Sequence, residues 1–499
     1  MILDGLLAVT SPLCIFLMLA GTVIGIAFGS VPGLTANMAV ALCLPLTYKM
    51  SAEVGMAFLI SLYVGGISGG LIAAILINIP GTPASVATCF DGSPLAKKGE
   101  AGKALGVGIC SSVVGTLLSI VALMFIAPTL AKLALKFGPY EYFAVSIFSL
   151  TMISSLISDS ILKGLTAAVL GVLVSLFGIA PTGGTLRFTF GIQALQLGFS
   201  TLPVLIGLFA VSEVLSYSME VPKVNNMQIM EYKIKGFGFT AQEAKSQIWN
   251  CLRSSLIGIG IGILPGIGGG TSNVIAYSVA KQSSKYPEKF GTGIIDGVVA
   301  SEAANNASVG GALIPLLTLG IPGDAVTAIL LGGLVMKGIN PGPLLFTNSG
   351  KFVYGIFFAL IISTIMMFVI EFFGIRMFVN VLKVPKYYLL PIVMALCCVG
   401  TFGVNNRIFD VWASLIFGVV GFLLNRFKFP VSPFILGFLL GGVVEQNLIR
   451  SIQYSTGSVI DAYMHQPIAM VFLVISIGLV TFKSIKAVAG KKAREKANT

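Results

Sequence analysis

The chain has 499 residues, 56% of them apolar and only 10% charged, against roughly 25% charged in soluble domains. Charge gathers at intervals with long neutral runs between, which excludes a soluble globule of this length and reads as a polytopic helical membrane protein. Those runs are continuous and far longer than the roughly 10-residue alternating segments of barrel strands, so a large barrel is excluded as well. The formal charge of +12 is accounted for without nucleic acid, because basic residues collect at the ends of membrane segments by the positive-inside rule. The tail follows this rule: Lys483, Lys486, Lys491, Lys492, Arg494 and Lys496 face only Glu495, which predicts a cytoplasmic C-terminus.

The start, Met-Ile-Leu-Asp-Gly, lacks a positive n-region, so the first apolar segment is expected to be a retained helix rather than a signal peptide. Between Asp4 and Lys49 lie 44 residues without a charge, interrupted by Gly29-Ser30-Val31-Pro32-Gly33. A residue before proline is pushed out of helical geometry, so the expectation is helix, break, second helical piece. Gly21, Gly25, Gly29 and Gly33 recur every four residues and predict a close helix approach. A second neutral run, Val54 to Phe90, breaks at Asn78-Ile79-Pro80-Gly81-Thr82-Pro83. Spans are then expected at about 104–131, 141–158, 161–180 and 195–217, followed by a polar stretch, 218–250. That stretch holds Glu220, Lys223, Lys233, Lys235, Glu243 and Lys245.

From Arg253 to Lys281 no charge intervenes, yet Pro265 and Gly268-Gly269-Gly270 sit inside that run. A further segment from Gly291 breaks at Gly320-Ile321-Pro322-Gly323-Asp324. Spans at about 352–375, 387–402, 409–425, 430–447 and 466–484 complete an expected total on the order of 10 to 14. The division predicted is a first membrane repeat at 1–217, a short polar linker at 218–250, a second repeat at 251–484 and a basic tail at 485–499. The fold class is thus all-α polytopic membrane protein, with two structural repeats containing broken or re-entrant helices.

The repeat carries the functional reading. Pro32-Gly33 and Pro265-Gly266 lie 233 residues apart, with Gly25 and Gly29 matching Gly258 and Gly262 at the same offset. Gly69-Gly70 matches Gly310-Gly311 at 241, and Ile79-Pro80-Gly81 matches Ile321-Pro322-Gly323 at 242. Paired Gly/Pro-interrupted apolar segments at corresponding places in two halves point to the midplane site of a secondary transporter. Spacing leaves open whether the halves are parallel or inverted.

Broken backbone at membrane depth persists where it is buried in protein or lines a wet cavity. A half-helix N-terminus offers unpaired N–H groups and a positive dipole that suit an anion. The candidate binding residues are Pro32, Gly33, Thr35 and Asn37 at the first break, and Gly81, Thr82 and Ser85 at the second. In the second half they are Pro265, Gly266, Gly268, Gly269, Gly270, Thr271 and Asn273, then Gly323. Thr35, Thr82, Ser85, Thr271 and Asn273 are equally suited to capping helix ends. Asn305 and Asn306, with Ser308, put amides in mid-membrane, where they bind solute or bond across helices. Asp324 and Glu302 are the candidate ion-coupling carboxylates, Asp324 foremost, while a position at an interface is the alternative reading for Asp91, Asp296 and Glu302.

An enzyme is not expected. The single His465 and the scattered Cys14, Cys43, Cys89, Cys110, Cys251, Cys397 and Cys398 form no metal-ligand pattern. The glycine run fits neither a P-loop nor a dinucleotide fingerprint, and no catalytic residue, metal or cofactor is expected beyond a coupling proton or sodium ion. An intramembrane aspartyl protease is disfavoured, because no Tyr-Asp pair accompanies Gly323-Asp324. A channel suits two pairs of broken helices less well than alternating access does.

Four motifs carry a resemblance: Val31-Pro-Gly-Leu-Thr-Ala-Asn, Ile79-Pro-Gly-Thr-Pro-Ala-Ser, Gly262-Ile-Leu-Pro-Gly-Ile-Gly-Gly-Gly and Ile321-Pro-Gly-Asp. With them the chain resembles, over nearly its whole length, the large membrane subunit of the tripartite tricarboxylate transporters. The resemblance implies a bacterial inner-membrane importer of carboxylates driven by an ion gradient. It also implies a periplasmic solute-binding protein and a small membrane subunit of about four helices as partners. A self-sufficient organic-anion symporter is the alternative from the same class.

Overall fold

The computed structural model describes residues 2–157, 160–219, 238–381, 386–455 and 457–497. It is almost wholly helical, and eight of its described helices are long and apolar enough to cross a membrane, with four shorter apolar helices besides. The chain is therefore an all-α polytopic membrane protein.

Each half opens with a helical hairpin. In the first, Pro12–Ser30 leads to a turn at 31–34 and Ala36–Cys43 returns; in the second, Ala241–Ile263 leads to a turn at 264–267 and Gly268–Ser283 returns. A central helix follows (Ala52–Leu76 or Ile295–Leu319), then a break, a half-helix (Val86–Leu95 or Ala325–Met336) and, further on, a long helix (Ala101–Ala134 or Gly350–Val381). The turns form where proline withholds an N–H and glycine takes a left-handed backbone, Gly33 at φ +92° and Gly266 at φ +77°.

The glycine strip works as its spacing predicts, with one exception. Gly21, Gly25 and Gly29 lie against the carbonyl oxygens of Phe58, Leu62 and Gly66 in turn, so the first hairpin arm and the central helix run parallel. Gly33, the expected fourth member, instead sits in the turn against the Tyr217 ring. The returning arm runs the other way, with Ala36 beside Gly66 and Thr47 beside Gly55. The second half repeats this, with Gly258 on Ala304, Gly262 on Ser308, Gly269 by Ser308 and Tyr277 by Gly297.

Contacts correct the register of the repeat by one residue. Gly69 packs on Ile26 as Gly311 packs on Ile259. Gly81 meets the Gly29 carbonyl and the Gly70 Cα, as Gly323 meets the Gly262 carbonyl and the Ala312 Cα. Gly69 therefore corresponds to Gly311 and Gly70 to Ala312, and the matching of the two Gly-Gly pairs at 241 is displaced. The physical demand is a close approach at the break, which a small residue of either kind meets.

The halves are inverted. Tyr63 bonds to Asp324, whose neighbour Gly323 touches Ala312. Ser85 adjoins Gly70, while the next residue back, Ala84, adjoins Gly269 and so Asn305. Gly108 reaches both Leu71 and Glu302. Positions ascending from 63 to 71 on one central helix thus face positions descending from 312 to 302 on the other. The two central helices are antiparallel. Both hairpin tips, resting on Gly66 and on Ser308, then lie at one depth.

The repeats also interlock. The long helix Ala101–Ala134 packs on the second central helix, and Gly350–Val381 packs on the first. Likewise Ile161–Ser175 packs on Val431–Tyr454, and Thr201–Met219 on Ile408–Arg426. The expected spans at 161–180 and 195–217 are shortened, because Gly178–Ile179 and Leu186–Arg187 pair as a small antiparallel hairpin between them. Arg187 from this hairpin grips both carboxylate oxygens of Glu445 at 2.6 and 2.9 Å.

Of the stretch expected as a linker, Glu220, Lys223, Lys233 and Lys235 lie outside the described residues, as do the tail side chains from 486 onward. The end of that stretch is not linker at all. A Thr240–Glu243 capping box starts the next helix at Ala241. The Lys103 ammonium and the Thr240 N–H hold the Glu243 carboxyl down at about 2.

Candidate functional site

Where the two tips converge, the second half supplies the polar groups. Gly269, the second residue of its returning arm, passes so close to the second central helix that a Cβ there would lie 2.6 Å from Asn305 Oδ1. One turn on, Asn273 donates from Nδ2 to the Ala84 carbonyl at the first-half break. Asn306 donates to Ser112 Oγ at 2.9 Å and to Glu302 Oε2 at 3.3 Å.

Glu302 is fully buried. Its carboxylate accepts from Thr88 on Oε1 and from Ser112 on Oε2 at 3.2 Å. Residues from the first half-helix and the first long helix thus converge on one acid of the second central helix. Beside it, four buried residues keep polar atoms that no protein group satisfies: Thr82 Oγ1, Asn273 Oδ1, both polar atoms of Asn305, and Asn306 Oδ1. Asn305 neighbours Glu302 but makes no hydrogen bond of ordinary geometry. Native interiors leave few such groups, and each costs roughly 1–3 kcal/mol. Concentrated at one place, they mark a polar cradle for a solute or water.

Asp324 sits differently. Its Oδ1 accepts from the Thr327 N–H at 2.7 Å, capping half-helix Ala325–Met336, and Oδ2 accepts from Tyr63 OH on the first central helix. Both oxygens are engaged in holding the break. Thr82 and Ser85 hold the equivalent place in the first half, where the Thr82 N–H donates to Ser85 Oγ at 3.3 Å. Asp324→Ala is expected to destabilise the protein by about 1–2 kcal/mol, as loss of an N-cap does, while Asp324→Asn keeps most of the cap. Thermal unfolding in detergent checks this; equal losses from both variants would contradict the capping role.

The candidate residues fall into three groups. Thr82, Ser85, Gly269, Asn273, Asn305, Asn306 and Glu302 gather around the convergence, while Gly268 adjoins the Asp324 side chain. Pro32, Gly33, Gly81, Pro265, Gly266 and Gly323 build the turns and close approaches, and Gly270 adjoins the Pro83 carbonyl. Thr35 caps the first returning arm, accepting from the Met38 N–H at 3.3 Å. Asn37 and Thr271 are only part-buried and make no hydrogen bond to the group.

Tyr63, Thr88 and Ser112 were not singled out from the sequence; the signal available was a lone polar residue within a neutral run. Asp91, with an interface as its alternative reading, is fully buried. It accepts from the N–H groups of Gly291, Gly293 and Ile294 and from Tyr277 OH at 2.9 Å. The three N–H bonds tie down the loop before the second central helix, and the fourth joins Asp91 to the returning arm Gly268–Ser283.

The cavities separate from the polar centre. One, about 270 Å³, is an apolar crevice lined by Val107, Cys110, Val114, Phe239 and Ile248, on the flank of Ala101–Ala134 and Ala241–Ile263. The breaks border narrow pockets, one beside Gly266, Pro322 and Asp324 and another beside Pro32, Gly33 and Tyr217. Burial and unpaired polar atoms outweigh volume here, since the large crevice offers almost nothing polar to a solute.

Residues 15–436 match the model of the tripartite tricarboxylate transporter TctA family. An uncharacterized 52.8 kDa protein of Agrobacterium vitis, from the TAR-I ttuC' 3' region, is 32% identical over 482 residues, covering 97% of this chain and 95% of that protein. A second, from the TAR-II ttuC' 3' region of the same organism, is 34% identical over 232 residues, 46% of this chain and 96% of that protein. No solved structure matches.

Proposed function

Since the chain belongs to the tripartite tricarboxylate transporter TctA family, we propose that it is the permease subunit of a binding-protein-dependent secondary transporter. It imports carboxylates, di- or tricarboxylates such as citrate, across the bacterial inner membrane with its tail in the cytoplasm. A periplasmic solute-binding protein delivers the solute, and a small four-helix membrane subunit completes the assembly. The family is one of transporter components, and no step here calls for an enzyme.

The observation that carries this reading is the set of buried, unpaired amide and hydroxyl atoms of Thr82, Asn273, Asn305 and Asn306 where two inverted hairpin tips reach one depth. The Asn305 Nδ2–H and the Thr82 hydroxyl are unpaired donors that hold a carboxylate without a permanent charge of their own, while the free oxygens of Asn273 and Asn306 accept from water. Glu302, three and four residues before the two amides, would repel that carboxylate. At a separation of about 6 Å and an effective dielectric constant of about 20, the repulsion is roughly 3 kcal/mol. A proton or sodium ion taken up at Glu302 removes it, so solute and cation favour each other's binding. Reciprocal coupling of this kind is what a symporter needs. Asp324 serves as a positioning residue that keeps the second break open.

The test is uptake of radiolabelled citrate and other di- and tricarboxylates into vesicles bearing this chain, with and without its binding protein, under imposed proton or sodium gradients. Uptake that needs both a gradient and the binding protein is the expected result. Asn305→Ala, which removes the unpaired amide donor, is expected to lower it by about 10- to 100-fold, the worth of a hydrogen bond to a charged group. Uptake without the binding protein would favour a self-sufficient symporter, and no carboxylate uptake under any gradient would overturn the reading.

A further inference from the structure

A second acid lies inside the membrane, apart from the site above. Glu371, on the long helix Gly350–Val381, is completely buried. Its Oε2 accepts from Ser68 Oγ of the first central helix at 2.8 Å, and its Oε1 has no hydrogen-bond partner among the described residues. An ionised carboxylate so placed would cost several kcal/mol. One hydroxyl is also too few ligands for a metal cation, which takes several oxygens. The form that this site accommodates is the neutral acid, with its proton on Oε1.

Packing does not require an acid there. In the inverted counterpart of this contact, Gly310 stands for Ser68, and its N–H donates to Ser119 Oγ at 3.2 Å. The same interface is therefore closed by a serine in one half and by a carboxyl in the other. Both central-to-long-helix interfaces nonetheless hold one acid each, Glu302 against Ser112 and Glu371 against Ser68. The helices packed on Gly350–Val381 bring Asp4, Cys14, Glu53, Tyr63, Lys103, Cys110 and Lys132 as titratable residues. Its own turns bring Lys351, Tyr354 and Arg376. Among the described residues, the acid within electrostatic reach of Glu371 is Glu302.

We propose that Glu371, with Ser68, is a proton-binding site distinct from Glu302, and that its proton crosses with the solute in addition to the cation at Glu302. The transport half of this statement rests on the permease reading; the proton-binding half does not. Binding and release involve only the O–H bond at Oε1, the proton passing to water when the helix interface opens.

Infrared spectra of the purified protein test the site without transport. The carbonyl stretch of a protonated, buried carboxylic acid is expected in the parent, retained in Glu302→Gln and absent in Glu371→Gln. Ser68→Ala, which leaves the acid in place, is expected to shift that band to higher frequency by removing its hydrogen bond. Size-exclusion profiles establish that each variant is folded. A band that survives in folded Glu371→Gln, or is lost only with Glu302, would overturn the proposal. In proteoliposomes containing the complete transporter, the reversal potential for citrate uptake counts cations per solute. The count is expected to fall by one in Glu371→Gln; an unchanged count would refute co-transport, while uptake absent from the parent itself would instead refute the permease reading.

Discussion

Glu302→Gln is expected to uncouple transport, cutting gradient-driven accumulation by roughly 100-fold, the equivalent of about 3 kcal/mol of charge coupling. Glutamine keeps the shape, its oxygen can still accept from Thr88 and its NH2 can donate to the Ser112 hydroxyl, so the helix interface should survive. What disappears is the negative charge that makes solute binding depend on a cation. Substrate binding to purified protein should accordingly lose the share of its cation dependence that Glu302 contributes, while uptake collapses. The decisive measurement is binding and uptake on the same preparation. Accumulation within about threefold of the parent, or binding whose cation dependence is undiminished, would remove Glu302 from the coupling role. Loss of binding and uptake together, with the protein folded, would make it a structural acid.

Gly323→Val and Gly81→Val are expected to prevent folding altogether. A Cβ at Gly323 would sit 2.5 Å from the Ala312 Cα and 2.6 Å from the Gly262 carbonyl, and Gly81 meets equivalent backbone in the other half. These are main-chain atoms of helices pinned on both sides, so no side chain can swing away. Overpacking of ordinary cores costs about 1–3 kcal/mol, and a clash with fixed backbone exceeds that. Gly260 is the control: it lies in the same helix as Gly262, but a Cβ there meets nothing within 4 Å. Gly260→Ala should fold normally and gain up to about 1 kcal/mol of helix propensity. The readout is the monodisperse fraction after solubilisation. A well-folded Gly323→Val would mean that the break does not hold the close approach described.

Much of this was legible because proline and glycine act locally. Pro32, Pro80, Pro265 and Pro322 end helices by removing donors, whatever surrounds them, so the four breaks and their pairing could be read from residue types. The direction of the halves could not, since inversion is a relation between helices and leaves no mark on spacing. The one-residue register error has the same origin: Ala312 serves where Gly70 does, and identity of residues misled where similarity of volume counts. Asn273, Asn305, Asn306 and Glu302 stood out as polar residues in neutral runs. Thr88 and Ser112 did not, because a hydroxyl in a membrane helix usually bonds back to its own backbone, as Thr116 does to Ser112 at 2.8 Å. Only the neighbouring helix distinguishes the two uses. The helix start at Ala241 was hidden by composition, for Glu243 and Lys245 look like linker until Thr240 is seen to cap them.

The interlocking of the halves has a consequence for biosynthesis. A ribosome completes Ala52–Leu76, Val86–Leu95 and Ala101–Ala134 well before the helices that they will clasp exist. While they wait in lipid, their polar residues are ones that can satisfy themselves, such as Ser119, which donates to the Thr116 carbonyl at 2.7 Å. The acids come later in translation: Glu302 after Thr88 and Ser112, Asp324 after Tyr63, Glu371 after Ser68. Each of these three carboxyls is therefore made only once the hydroxyl that donates to it is already in place, so the order of synthesis itself limits how long they are exposed to lipid without a partner.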